Sequence, residues 1–204
     1  MIHLDKLCFG YDGKALLFNM LSLHLKPGEN ILLKGENGCG KSTLLKLMMG
    51  ILSPQSGTVA IAGKPVTKVH AGLFQHVFYQ SQSTADNLLG ISQQQDWQMW
   101  RIAIPGLAAL TDRADELFSE RSGGEQKQDS QRILPYLMHK YWLLDEPFAS
   151  LDTKAGEALF ELVCKKTKAQ PGMLVVAHEL GDKESHFDRV LELSEGSIKE
   201  LRHA

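Results

Sequence analysis

Eight consecutive residues, Gly35-Glu36-Asn37-Gly38-Cys39-Gly40-Lys41-Ser42, satisfy the pattern GxxxxGK(S/T). Glycines let successive backbone N–H groups curl around phosphate oxygens, and a helix opening at Lys41 would aim its positive end at the same anion. In such a loop Lys41 reaches the β- and γ-phosphates of a nucleoside triphosphate, the Ser42 hydroxyl ligates Mg²⁺, and Thr43 extends the phosphate shell. A chance turn could satisfy the spacing. It would not be expected between an apolar strand pattern and a helical one, which is where these residues fall. The expected ligand is therefore ATP with Mg²⁺.

Tyr141-Trp142-Leu143-Leu144-Asp145-Glu146 is an apolar run ending in paired acids. Ligands of open parallel sheets sit beyond the carboxyl ends of the strands, so Asp145 suits Mg²⁺, directly or through water. Glu146 lies one step further out, where a carboxylate accepts a proton from, or orients, the water attacking a γ-phosphate. Alone, the pair is equally well a solvated acidic turn before Pro147. Ser122-Gly123-Gly124-Glu125-Gln126 precedes a helical stretch, and its hydroxyl and amides form a second candidate anion site, although such a segment in isolation is more often a plain capping loop. His178 follows the apolar run Met173 to Val176, where a strand end would face the γ-phosphate; packed or capped imidazoles are common there too. Tyr11 and Gln80 taken singly read as an edge aromatic and a strand-ending amide. Trp97 and Trp100, with Met99, suit either a docking face or the core, the usual place for aromatics at helical spacing.

Alternation at Ile2, Leu4 and Leu7 and at Leu21, Leu23 and Leu25 predicts two strands, the second closed by the turn Lys26-Pro27-Gly28-Glu29. Ile31 to Leu33 reads as a buried strand feeding the glycine loop, and Leu44, Leu45, Leu47 and Met48 as the helix after it. Thr58 to Ile61 and Val77 to Tyr79 follow as strands, residues 81 to 121 are expected to be mostly helical, and a helix is expected from Glu125 to about Met138. Tyr141 to Leu144 predicts a strand and Thr153 to Lys168 a helix stopped by Pro171-Gly172. Met173 to Val176 and Val190 to Leu193 are buried-strand candidates, and Glu195-Gly196 turns the chain into a last strand. Strands alternating with helices imply a mainly parallel α/β core.

With 204 residues, 43% of them hydrophobic, the chain can bury one sizeable core, and no linker-like tract divides it. Its 22 Lys+Arg against 24 Asp+Glu leave a formal charge of -2, without the basic footprint that nucleic-acid binding needs. Cys8, Cys39 and Cys164 are odd in number and lack metal-ligand spacing, which fits a reducing compartment. No signal-peptide pattern and no run of eighteen apolar residues is present, so the expectation is a cytoplasmic chain that does not span a membrane.

The order and spacing of the motifs resemble the nucleotide-binding domain of ABC ATPases across nearly the whole chain. Tyr11 resembles the aromatic residue that stacks on adenine, Gly35 to Thr43 the Walker A loop, and Gln80 the Q-loop glutamine. Ser122 to Gln126 resembles the signature, Asp145-Glu146 the Walker B pair, Ser150-Leu151-Asp152 the D-loop, and His178 the switch histidine. The resemblance implies a single domain over residues 1–204: a P-loop NTPase core with a mainly parallel sheet, an antiparallel N-terminal β subdomain, and a short helical subdomain inserted at about 81–135. It also implies paired domains, ATP being held between the phosphate loop of one copy and the signature of the other. Lys41, Ser42 and Mg²⁺ would then neutralise developing charge, Glu146 would handle the water, His178 would hold the γ-phosphate, and Gln80 would link the metal site to a partner. The implied partners are a separate integral membrane permease and a second ABC ATPase subunit, a homodimer in preference to a heterodimer, with no nucleic acid, on the inner face of the cell membrane. Two departures stand out: Arg121 replaces the leucine usual before Ser-Gly-Gly, and Pro135 falls within the helix that follows the signature. Arg132 lies one position from the family's arginine and takes no role. The alternatives are a soluble ABC protein of DNA repair or translation, which the near-neutral charge disfavours, and a poorly hydrolysing regulatory module, which Arg121 and Pro135 suggest.

Overall fold

The computed structural model of the chain describes residues 1–68, 73, 75–90, 92–104, 116–164, 170–178 and 180–203. Strands β1 (Ile2–Phe9) and β2 (Phe18–Leu25) pair antiparallel, Ile2 opposite Leu25 and Leu4 opposite Leu23, so the alternating leucines share one buried face. After β3 (Asn30–Lys34) and helix α1 (Lys41–Met48), β4 (Ser56–Ile61) pairs with the other edge of β1, and β5 (Lys64–Pro65) with β4. The order of this sheet is β2-β1-β4-β5.

The second sheet takes β3 together with β6 (Val77–Gln80), β7 (Tyr141–Asp145), β8 (Gly172–Val176), β9 (Arg189–Ser194) and β10 (Ser197–His203), in the order β10-β9-β3-β8-β7-β6. Strands β9, β3, β8, β7 and β6 run parallel, and β10 returns antiparallel beside β9. Strands of parallel sheets read as near-continuous apolar runs, and every residue of β7 and β8 is buried. Leu44, Leu45, Leu47 and Met48 of α1 join Ile31, Leu33, Leu143, Leu174 and Val176 of this sheet and Ile2, Leu4, Leu7 and Phe18 of the first in one hydrophobic cluster. Each such side chain contributes about 1.5–3 kcal/mol on burial.

Two compact units result. One holds Met1–Gln80, His139–Pro147 and Cys164–Ala204, with both sheets and α1. The other holds Ser81–Met138 and Phe148–Val163, with α2 (Gln93–Ala103), α3 (Gly123–Gln131) and most of α4 (Thr153–Cys164).

The second unit departs most from the sequence reading. The helix expected to run to Met138 stops at Gln131, and Leu134–Tyr136 is a separate 3₁₀ turn. Pro135 has no N–H to give, and its ring would clash with the carbonyl four residues back, so the α-helix ends before it. Among the described residues of 81 to 121, 3₁₀ turns at Thr84–Asn87 and Phe118–Glu120 flank α2, and Ser92 bridges Leu117 in antiparallel fashion. Residues 105–115 of that stretch, and 165–168 of the helix expected to reach Lys168, lie outside the described residues. Trp97 is core, edge-on to Tyr136 with ring centroids 5.8 Å apart, whereas Met99 is exposed. No helix among the described residues is long and apolar enough to cross a membrane.

Leu143 is fully buried in the strand that carries Asp145. Leu143→Ala should lower unfolding free energy by about 2–5 kcal/mol, measured from urea midpoints, because the surrounding sheet cannot collapse fully into the cavity.

Candidate nucleotide site

Gly40 caps the N-terminus of α1 with φ +109°, a left-handed conformation, and a Cβ there would lie 2.9 Å from Phe18 Cζ. Only glycine fits both the torsion and the ring. The amides of the first helical turn that follow have no acceptor within the helix, so they are available to an anion. Lys41 is 6% exposed and curls back over the loop, its Nζ donating to the carbonyls of Gly35 at 2.7 Å and Glu36 at 2.8 Å. Asn37, Gly38 and Cys39 lie between these carbonyls and the cap, and Cys39 N–H donates to Glu36 O. Thr43 is buried two residues after Lys41, its hydroxyl 3.0 Å from that of Tyr11. The Tyr11 ring stands edge-on to Phe9 and is 44% exposed, which leaves it open to a flat ligand beside the loop.

Register brings the remaining residues of this unit together. Leu33 pairs with Val176, Asp145 with Val176, and Gln80 with Leu144, so β3, β8, β7 and β6 end at one edge. Gln80 is 1% exposed, and neither atom of its side-chain amide is hydrogen-bonded among the described residues. Asp145 is equally buried. Glu146 adopts φ +47°, a left-handed backbone that costs a non-glycine residue on the order of 1–3 kcal/mol. Its N–H is held by Val176 O at 2.9 Å, and its Oε1 lies 3.5 Å from Nε2 of the exposed His178. Ser42, Gln80 and Asp145 are oxygen donors with one carboxylate among them. That set fits Mg²⁺, which keeps waters and phosphate oxygens in its shell in preference to a protein cage.

In the second unit Ser122 caps α3. Its hydroxyl accepts from Glu125 N–H at 3.3 Å, and Glu125 Oε2 accepts from Ser122 N–H at 2.9 Å and its hydroxyl at 2.8 Å, a reciprocal capping box. Gly123 opens the helix, and a Cβ on Gly124 would lie 2.6 Å from the carbonyl of Ser150, which itself has φ +64°. Asp152 caps α4 by accepting from Ala155 N–H at 2.8 Å, and its other oxygen accepts from Gln128 Nε2 at 2.9 Å. The Ala155 amide, more than any other group, holds the Asp152 carboxyl below its ordinary range. The segment 122–125 and Asp152 are thus tied together, a link through Gln128 that sequence reasoning missed.

Sequence reasoning also missed what surrounds Arg121. Its guanidinium pairs with Asp129 and, at 3.1 Å, with Glu116, while Asp129 Oδ1 accepts from Gln93 Nε2 at 2.8 Å and lies 3.4 Å from Arg132 Nε. Helical spacing gave no signal for this pairing, because Arg121 lies in extended backbone just before the cap of α3, outside the helix that carries Asp129. Burial raises the carboxyl pKa of both Asp129 and nearby Asp96 above the ordinary value.

The family model described as ABC transporter matches residues 18–149, which span the phosphate loop, the Ser-Gly-Gly segment and the paired acids. The chain belongs to the ABC transporter family. It is similar to the thiamine import ATP-binding protein ThiQ of Vibrio parahaemolyticus, 32% identical over 207 residues that cover 92% of this chain and 86% of that one. It is also similar to the aliphatic sulfonates import ATP-binding protein SsuB 2 of Agrobacterium fabrum, 29% identical over 93% of this chain and 74% of that one. Among solved structures, the dimeric bacterial ABC transporter cassette MJ0796 superposes with a TM-score of 0.82 at 21% identity, covering the whole of both chains. CbiO1 of Clostridium perfringens, part of the transporter complex cbiONQ, superposes at 0.76 and 22% identity over 97% of this chain and 86% of that one. This ABC protein has the P-loop ABC fold, and it is an ATP-binding, ATP-hydrolysing subunit of an ABC transporter.

Asp96 has its folded pKa raised by burial, so between its unfolded value and its folded one the folded protein binds more protons than the unfolded chain. Stability from this group therefore falls as pH rises through that window. Comparing urea midpoints of the unsubstituted chain and Asp96→Asn, the difference should move in favour of the unsubstituted chain as pH is lowered from neutral towards the ordinary carboxyl range.

Proposed function

We propose that two copies of this chain close around two ATP molecules and drive a separate membrane permease from its cytoplasmic side. The observation that carries the reading is the shared strand edge: Lys41, Gln80, Asp145, Glu146 and His178 all follow or end parallel neighbours of one sheet. Tyr11 stacks on adenine, and the amides from Gly35 to Thr43 cradle the phosphates. Lys41 exchanges its loop carbonyls for γ-phosphate oxygens. Ser42, Gln80 and Asp145 would hold Mg²⁺, which would supply neutralising charge to the phosphates. Glu146 orients the attacking water and accepts its proton, and His178, beside it, holds the γ-phosphate. Ser122 to Glu125 of the second copy cover the same phosphate, with Asp152 fixing their position.

Closure follows from differential binding. The γ-phosphate bridges two surfaces, so its loss on hydrolysis removes contacts made only in the closed state, and the population shifts to the open one. With every site motif on one chain, a homodimer is self-sufficient. The import functions in the relatives' names support uptake as the direction.

Glu146→Gln should keep ATP binding, slow hydrolysis by about 10²–10⁴-fold, and yield an ATP-dependent dimer by sedimentation. Unchanged turnover would remove Glu146 from this role. Lys41→Ala should weaken ATP binding by about 10-fold or more, the size of a lost charge-assisted contact. Purification of the tagged chain from solubilised membranes with ATP should bring an integral membrane protein with it.

A further inference from the structure

Arg121 immediately precedes the cap of α3, yet its side chain is 7% exposed. An arginine this deep needs partners, and it has two carboxylates: Asp129 on α3 and Glu116 on the approaching loop. Asp129 is itself 3% exposed at its side chain and also receives Gln93, the first residue of α2. The backbone of Arg121 is fixed from a second direction, its carbonyl and that of Phe118 accepting from Gln126 Nε2 at 3.1 and 2.8 Å. Side chain and main chain of the residue before Ser122 are therefore both anchored, one through a buried ion pair and one through an amide.

We propose that Arg121 is a positioning residue for the nucleotide: its pair with Asp129 sets where Ser122 and the glycine amides stand, and through Gln93 it makes α2 and the signature segment one unit. This rests on the two-copy site above. The ion pair takes the place that an apolar contact could fill. A buried pair adds little stability over well-packed apolar residues, but losing one partner strands a charge. Restoring an apolar match should therefore restore position.

The test uses the full chain carrying Glu146→Gln and reads two quantities: affinity of the single chain for a fluorescent ATP analogue, and ATP-dependent dimerisation by sedimentation. Arg121→Leu should leave analogue affinity unchanged while weakening dimerisation about tenfold, a coupling typical of contacting residues. Arg121→Leu with Asp129→Leu should recover most of it. Hydrolysis in the otherwise unsubstituted chain should follow the same order, with kcat lowered and KM little changed. Arg121→Lys, which keeps a charge but cannot bridge two carboxylates as a guanidinium does, should be intermediate, and it carries the test if Arg121→Leu does not fold. Dimerisation unaffected in Arg121→Leu or Arg121→Lys, a double variant as defective as the single, or parallel loss of analogue affinity and dimerisation would each overturn the assignment. Failure of Glu146→Gln itself to dimerise with ATP would overturn the two-copy reading and this assignment with it.

Discussion

Parallel pairing of β6, β7, β8 and β3 is the constraint on which the site depends. In a parallel sheet every strand ends at the same edge, so residues distant in sequence leave the core side by side. Lys34, Gln80, Asp145 and Val176 close the four strands; the phosphate loop follows Lys34, Glu146 follows Asp145, and His178 lies two residues beyond Val176. None of these positions needs a contact of its own to be specified. A slip of one residue in β7 would turn Asp145 to the opposite face and destroy the site while keeping the apolar run.

On that edge the structure holds two kinds of tension. Glu146 sits in a left-handed backbone secured by the Val176 carbonyl, and strain of this sort persists only where the surroundings over-determine it. Lys41 satisfies its ammonium with loop carbonyls, so a phosphate must replace contacts of similar kind. Its binding gain is the difference between the two, which favours a ligand carrying several negative charges.

Much of this could be read from the sequence. The eight residues of the phosphate loop are local, and their strand-loop-helix context is an unbroken stretch of chain, so pattern alone finds them. The rule that ligands lie beyond parallel strand ends singled out Asp145, Glu146 and His178, although each alone reads equally as a solvated turn or a packed imidazole, and only the order of the motifs favoured the site reading. Where sequence reading failed, distant polar partners decided the outcome. Arg121 looked like a mismatch because its partners Glu116 and Asp129, and the Gln93 that donates to Asp129, come from three separate segments, and nothing local reveals that they converge. The helix after the signature looked long because its pattern continues to Met138, and a single ring at Pro135 ends it. Assignment of residues 148–163 to the second unit follows from tertiary packing that periodicity does not report.

The central claim is that one sheet edge and one signature segment, from different copies, enclose a single γ-phosphate. A crystal structure of the Glu146→Gln chain with ATP and Mg²⁺ tests it most directly. The account predicts two chains per two nucleotides, each γ-phosphate within hydrogen-bond distance of Lys41 and His178 of one copy and of Ser122 of the other. Nucleotide bound with all its phosphate contacts from one chain, in a crystal grown from the ATP-bound dimer, would contradict it.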